Sequence, residues 1–481
     1  MKRIYVISGG TMVHIRPHFS LCAPAYGTVG YDLTDALVKG VYDKFMYKEL
    51  RIVPIFTRMV EYQGDRWGTY GNIQDTCTEG VWYGRKILSS LGLRHVETNE
   101  DLKTLIEALI QREDTRGIIM AAAVCDWEPK TLQEDRAEKD SILVDGDFTH
   151  DFGKEYPRLS TRLPGLPDAR KGISLKMRPA DKLIGMIRRE RKDIFLVSFK
   201  TTAGVSREET YVAGLKSLKG SSSNLVLAND VQNHHNVVVT PEEFPYYCDT
   251  REEAVRELAD MVLDRIRLDF IRTRMVPGDK ADLVKLHKKG KIPSNFLPVL
   301  QHAIQKGAFK VLPWAERTSG HFGCVVLDKG LDFIRVSSVR KVNHNKVLDE
   351  GVVKIVSDDG NSIIARGGKP SVGEHTQRMI YEQIKAHGYE VHSILHFHCP
   401  LRKTSGIIDI PTAAQRPYEC GSVQCGLNTS TNMMQIEDGI WAVHLEGHGP
   451  NIAWHRDVDP QKVIDFIEGD WDLSQKSGGN L

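Results

Sequence analysis

The stretch "HSILHFHCP" places His396 and His398 two residues apart in an apolar, partly β-branched run. Such a run predicts a strand, and on a strand residues i and i+2 project from the same face. Two imidazoles so placed suit one metal ion, and they equally suit a hydrogen-bonded histidine pair. A third donor favours the metal, because catalytic zinc takes three protein ligands and keeps one position open. His448 in "VHLEGHGP" is the candidate. The apolar run "IWAVHLE" delivers it, and glycines on both sides permit close approach. His444, four residues earlier, is either a competing ligand or a neighbour that orients one.

A second group of residues points to phosphate. The first apolar run ends in "SGGT", where Gly9, Gly10 and Thr11 let the backbone turn and approach an anion, or simply form a tight turn. Further on, "APAYGTVGYDLTDALVKG" puts Gly27 and Gly30 ahead of a helix expected from about Tyr31. The free N–H groups and dipole of that helix terminus suit a phosphate. Asp126 follows a buried run, where α/β proteins bind ligands. Asn229 and Asp230 close the run "LVLAND", and Asp230 also suits a turn or helix cap.

These residues must be positioned by elements that the apolar pattern outlines. "RIYVIS", "RIVPIF", "GIIMAAAV", "IFLVSF" and "NLVLAN" read as buried parallel strands, with amphipathic helices such as "DLKTLIEALIQRE" and "DKLIGMIRRER" between them. Alternation of this kind predicts a Rossmann-like, doubly wound α/β sheet. Val255, Leu258, Val262, Ile266 and Phe270 predict one helix from Thr250 to about Arg274. The Pro-, Gly- and Lys-rich stretch that follows suggests three parts: residues 1–273 as a nucleotide-binding domain, 274–292 as a linker, and 293–481 as a second domain. Residues from about Asp140 to Lys171 read as a long loop.

The 481 residues allow two domains, with 41% hydrophobic and 26% charged residues and a net charge of +1. That balance gives no reason to expect nucleic acid or an anionic membrane as partner. The sequence has no apolar run long enough for a membrane span and no signal-like N-terminus. Eight scattered cysteines without a CxxC pair fit a reducing cytoplasm.

In the first half, Thr11, Pro17, Gly27 and Gly30 meet the pattern T-x5-P-x9-G-x2-G. "AAAVCDW", "SLKMRPADKL", "VSFKTTA" and "LVLANDV" follow in order. Together they resemble the phosphopantothenoylcysteine synthetase (phosphopantothenate–cysteine ligase) family. The resemblance implies a ligase that activates a small carboxylate with CTP or ATP and Mg²⁺ through an acyl-nucleotidylate, then joins it to an amine. It implies that Ala123, Asp126, Lys176, Phe199, Asn229 and Asp230 contact the nucleotide, together with the glycines and Thr11. It gives Lys139 and Asp126 catalytic roles. Arg16 stands where the family carries an acidic residue and suggests a different, anionic substrate. Ala23 stands where the family carries an asparagine, and Thr28 where a Lys or Arg is usual.

In the second half, the three histidines, "RTSGHFG" and "GKPSVGEHTQRMIYEQI" resemble the class II aldolase/adducin family, whose fold is α/β with a mainly antiparallel central sheet. The resemblance implies a Zn²⁺ or other divalent metal on His396, His398 and His448. It assigns the substrate anion to Ser319, Gly320 and His321. Glu374 is the catalytic acid–base candidate, although the family position falls on Gly373. The metal would polarise a carbonyl while a bond alpha to it changes.

The combined expectation is a bifunctional, cytoplasmic and homo-oligomeric enzyme. One part is a carboxylate–amine ligase; the other is an aldolase-type lyase, epimerase or dehydratase. The alternative is a nucleotide- and metal-binding scaffold or sensor, a relative of adducin in that it lacks catalysis.

Overall fold

The computed structural model describes residues 1–16, 19–61, 76–129, 177–346, 351–402 and 410–479. The five apolar runs become β1 (Lys2–Gly10), β2 (Leu50–Phe56), β3 (Thr115–Ala123), β4 (Phe195–Thr202) and β5 (Leu225–Asp230). They are followed by β6 (Asn236–Val239) and β7 (Pro245–Cys248). All seven share one sheet in the order β7-β6-β5-β4-β3-β1-β2. β1 runs parallel to β2 and β3, β3 runs parallel to β4, and β6 and β7 are antiparallel. The sequence order therefore reverses between β1 and β3. Beyond the carboxyl ends of strands at such a reversal, open α/β sheets carry their ligand crevice. Strands covered on both faces need apolar residues on both, and Ile4, Tyr5, Val6 and Ile7 are all fully buried.

The chain divides into two compact units. The first is Met1–Phe199 with Gly220–Leu227 and Arg251–Leu263; the second is Lys200–Lys219, Ala228–Thr250 and Asp264–Leu481. In the first unit, α1 (Thr28–Asp43) begins at Gly27, whose φ of 79° is left-handed. Gly30 therefore lies inside the first turn of α1, not ahead of the helix, and a Cβ there would run into Ser8 of β1. Its role is close packing of helix on strand. The helix α2 (Asn99–Gln111) opens with a capping box of Thr98 and Asp101 and buries Leu102, Leu105, Ile106, Leu109 and Ile110.

The second unit is built on a ten-stranded sheet. Its strands are β8 (Arg272–Val276), β9 (His321–Val325), β10 (Arg335–Ser337), β11 (Val353–Asp358), β12 (Ser362–Arg366), β13 (Ser393–His396), β14 (Thr412–Ala413), β15 (Met434–Glu437), β16 (Ile440–Leu445) and β17 (Gly449–Trp454). The order is β8-β12-β11-β10-β9-β13-β17-β16-β14, with β15 on β16. Pairing is antiparallel around the centre, while β8–β12 and β14–β16 are parallel. Alternating residues of β13, β16 and β17 feed two cores. Leu395, Ala442 and Ile452 join Phe296 and Leu300 of α3 (Phe296–Gln305) and Phe466 of α5 (Pro460–Asp470). Ile394, Val443 and Ala453 join Ile380 and Ile384 of α4 (Glu374–Ala386). This period-two alternation fixes which face each histidine of the central strands presents.

Two expectations differ from the structure. The helix expected through Arg274 ends at Arg265, and Phe270 is 48% exposed. Arg265 is fully buried, with its guanidinium on Glu242 (3.0 Å) and the Arg416 carbonyl (2.7 and 2.9 Å). That long-range anchor coincides with the end of the helix, where no glycine or proline marks it. The stretch read as a linker is structured: β8 pairs with β12, and Leu283–Lys288 is a short helix with Leu283 buried.

Because a methyl group at Gly30 meets β1 directly, Gly30→Ala is expected to destabilise the protein by about 1–3 kcal/mol. The urea-denaturation midpoint measures this, and an unchanged midpoint would contradict the packing described.

Candidate functional site

The crevice end of the first unit is held together by one side chain. Thr11 follows β1, and its hydroxyl donates to Asn99 Oδ1 (2.7 Å) and accepts from the Cys125 N–H (2.9 Å). Its own N–H donates to the Ala123 carbonyl (2.9 Å), and its carbonyl accepts from the Ala23 N–H (3.0 Å). Thr11 thus ties the ends of β1 and β3 to the start of α2, and all its polar groups are committed. Gly9 has φ 108°, and a Cβ on Gly10 would strike the Ala23 carbonyl. These glycines are needed for that close approach. Asp126 lies past β3 on the surface, 2.5 Å from Lys182 Nζ. Lys182 is a cation that sequence reasoning passed over, although it stands in the quoted "SLKMRPADKL". Phe199 lies within β4 and is half-buried. Arg16 ends the strand Met12–Arg16. Pro17, Lys139, Lys176 and the Asp140–Lys171 stretch lie outside the described residues.

Asn229 and Asp230 belong to the second unit. Asn229 is buried, and its carbonyl accepts from Thr202 Oγ1 (3.4 Å). The Asp230 carboxylate accepts the backbone N–H groups of Gly204, Val205, Gln232 and Asn233 at 2.7–3.2 Å, and the Thr202 hydroxyl at 3.0 Å. Burial raises its pKa, but the four N–H groups outweigh burial and hold the carboxyl well below the usual range. The Asp230 carboxylate therefore caps the turn formed with Gly204, Val205, Gln232 and Asn233.

In the second unit the structure brings His396, His398 and His448 together. All three are buried, and one ring nitrogen from each lies within 4.8 Å of the others. His396 ends β13, and His398 follows on the irregular segment beyond it. His448 sits in the turn between β16 and β17, where Gly449 has φ 142°. A Cβ on Gly449 would collide with the Phe397 carbonyl, so that glycine lets the turn close over the His396–His398 segment.

Hydrogen bonds fix the tautomers of two rings. His396 Nδ1 lies 2.7 Å from the Pro450 carbonyl, which only accepts, so Nδ1 carries the proton. His448 Nδ1 lies 3.3 Å from Gln415 Oε1. The orientation of that amide is set by its Nε2, which donates to the Tyr418 carbonyl at 2.6 Å. The bare lone pairs of His396 Nε2 and His448 Nε2 consequently face each other at 3.3 Å. Burial first, and then the neighbouring histidines, push both pKa values well below the usual one, so both rings are neutral at neutral pH. Two facing lone pairs in a buried space repel unless a cation lies between them. Neutral imidazoles with protonated Nδ1 and free Nε2 are the donor set a divalent metal takes. The residues fit the metal. Sequence reasoning missed Gln415, which carries no motif, and gave no role to Pro450 although it closes the quoted "VHLEGHGP".

The other expected residues fall elsewhere. His444 is buried and accepts from Trp471 Nε1 (3.4 Å), outside the trio. The Ser319 hydroxyl donates to the Glu243 carboxylate at 2.6 Å, so it is already occupied by the chain itself. Gly320 has φ 93°, and a Cβ there would press on the His396 carbonyl. His321 pairs with His396 across β9 and β13, and their rings lie 4.7 Å apart. Its Nδ1 meets Gln377 Nε2 at 3.0 Å, and burial followed by His344 and His398 lowers its pKa to about 3.

Glu374 is fully buried, but it opens α4 against Arg335, not against the trio. Arg335 Nε and Nη2 donate to its Oε1 at 3.0 and 2.7 Å, and the same Nη2 reaches Asp358 at 2.7 Å. Glu374 Oε1 is thus an ion-pair partner of Arg335, while its Oε2 is buried without a hydrogen-bond partner among the described residues, and burial raises the carboxyl pKa. At Gly373, a Cβ would run straight into the His321 ring, so the space beside that position is filled by an imidazole.

Among known proteins, no family model matches the chain. Over 175 residues it is 25% identical to the coenzyme A biosynthesis bifunctional protein CoaBC of Thermococcus kodakarensis, covering 36% of this chain and 36% of that protein. The match thus spans about a third of the relative's length. Among solved structures, the DNA/pantothenate metabolism flavoprotein from Streptococcus pneumoniae is 18% identical, with a TM-score of 0.36, covering 55% of this chain and 96% of its own. A Cab2 variant in complex with phosphopantothenate-cysteine is 16% identical over 55% of this chain and 87% of its own, at a TM-score of 0.33. A sugar-phosphate aldolase from Thermotoga maritima is 18% identical over 36% of this chain and 91% of its own, at a TM-score of 0.27. The chain therefore contains a region similar to a coenzyme A biosynthesis protein. No helix among the described residues is long and apolar enough to cross a membrane.

Removing Glu374 takes one of two carboxylates from the buried Arg335 guanidinium and leaves it Asp358. Glu374→Ala is expected to destabilise the protein by up to about 3 kcal/mol, less than stranding the charge outright. Chemical denaturation measures this, and full stability in the variant would contradict the structural role.

Proposed function

We propose that the chain is a bifunctional metabolic enzyme, a nucleotide-dependent carboxylate–amine ligase joined to a divalent-metal centre of the aldolase type. The observation that carries the metal half is the pair of facing Nε2 lone pairs, with the ring of His398 beside them. A divalent ion there supplies a Lewis acid for a substrate carbonyl. The chain's own residues do the rest. Pro450 and Gln415 orient two rings, and burial keeps His396 and His448 neutral. Arg335 holds Glu374 Oε1, and Glu374 Oε2 is left without a hydrogen-bond partner among the described residues. The substrate class is a small hydroxy-carbonyl or phosphorylated metabolite.

The ligase half rests on the partial similarity to CoaBC and on the switch point of the parallel sheet. Gly9, Gly10 and Gly27 form the glycine-bearing turns there, and Asp126 and Lys182 supply surface charge. CTP or ATP with Mg²⁺ would be the activating nucleotide, and a small carboxylate and an amine the substrates. A homo-oligomer in the cytoplasm remains part of the proposal. The second reading, a scaffold or sensor, is favoured by Ala23, Gly373, the ion pair of Glu374 with Arg335 and the turn cap of Asp230.

Two measurements separate these readings. Metal analysis of the purified chain is expected to give about one zinc per chain, with loss in His396→Ala and His398→Ala; equal zinc in all three would remove the site. A pyrophosphate-release assay across a panel of carboxylates with CTP and ATP is expected to show activity with at least one pair. No release with any pair would favour the sensor reading of the first half.

A further inference from the structure

The third histidine of the trio differs from the other two. His398 Nδ1 is buried and has no hydrogen-bond partner of standard geometry. The acceptor facing it is Glu243 Oε2, at 3.5 Å. Glu243 lies in the turn between β6 and β7, far upstream and within the part of the sequence that resembles the ligase family. It is 2% exposed and has a left-handed φ of 67°, unfavourable for a residue with a Cβ. The fold holds it there from several sides. Tyr211 Oη donates to its carbonyl at 2.7 Å, and Lys476 Nζ donates to the same carbonyl at 3.3 Å. The carboxylate receives Ser319 Oγ at 2.6 Å, Lys219 Nζ at 3.0 Å and Lys476 Nζ at 3.6 Å. A buried acid in a strained turn, carried by two lysines and a serine to the edge of a histidine trio, is over-determined for a mere surface pair.

The chemistry of the neighbouring rings indicates its use. His396 and His448 each place Nδ1 against an oxygen and turn Nε2 inward. Among the described residues, the oxygen that faces His398 Nδ1 is that of Glu243. We propose that Glu243 is the positioning residue of His398: its carboxylate holds the Nδ1 proton, fixes the ring and leaves Nε2 for the cation. The metal centre is then completed by a residue from outside the aldolase-like stretch. The carboxylate also places one negative charge beside three neutral ligands, which raises the basicity of His398 toward a divalent ion. This inference rests on the metal reading above.

The test uses the full-length chain and zinc alone. Zinc affinity is measured by competition with a chromogenic chelator for the wild type, Glu243→Gln and Glu243→Ala. Affinity is expected to fall about 10–100-fold in Glu243→Ala, with Glu243→Gln between it and the wild type. Cobalt-substituted Glu243→Gln is expected to show shifted visible absorption. Wild-type affinity and spectrum in both variants would overturn the role of Glu243 while leaving the metal site standing. A measurement on the wild type avoids any loss of folding: nitrogen-15 NMR of the histidines in the zinc-loaded protein is expected to show His398 ligating through Nε2 with Nδ1 protonated. Ligation through Nδ1 would overturn the proposal. A wild type that takes up no zinc would overturn the metal reading and this inference together.

Discussion

Two lone pairs that face each other across 3.3 Å are the constraint on which the second unit turns. Neither ring can relieve the contact by moving its proton, because each Nδ1 is held by an oxygen. Pro450 holds one through a backbone carbonyl, and Gln415 holds the other through an amide that Tyr418 orients. Neither ring takes up an extra proton at neutral pH, because burial and the neighbouring imidazoles oppose it. What remains is a buried space that prefers a cation. The central strands serve that arrangement. Their alternation sends Ile394 and Leu395 to opposite cores and leaves His396 at the strand end, where Gly320 and Gly449 allow neighbouring backbone to close in.

The first unit uses a different economy. Its crevice end is organised by backbone and by one threonine. Thr11 joins four segments, and the glycines around it remove side-chain bulk where the backbone must pass closely. An anion-binding turn has this character, since N–H groups rather than side chains meet the phosphate. The 2-1-3-4-5 strand order places that turn at the reversal of the sheet.

Much of this was legible in the sequence, for physical reasons. The first five strands of the first sheet showed because strands buried on both faces must be continuously apolar. His396 and His398 showed as an i, i+2 pair in an apolar run, although the strand ends at His396 and His398 follows on irregular backbone, and His448 showed because glycines flank it. What could not be read depends on contacts distant in sequence. The end of the helix at Arg265 accompanies a guanidinium bound to Glu242 and the Arg416 carbonyl. Asp230 reads from sequence as a nucleotide contact with a cap as its alternative, and two of the four N–H groups on its carboxylate come from Gly204 and Val205, far upstream. Glu374 looked catalytic one residue from its expected place. That single-residue offset turns the side chain toward Arg335, while the neighbouring position meets His321. Gln415 and Glu243 carry no motif, because an orienting residue needs only the right atom in the right place.

X-ray absorption at the zinc edge of the metal-loaded, full-length protein tests the central claim most directly. The account predicts a first shell of three imidazole nitrogens at about 2.0–2.1 Å completed by a light atom. A shell containing thiolate sulfur, or one without imidazole scattering, would contradict it.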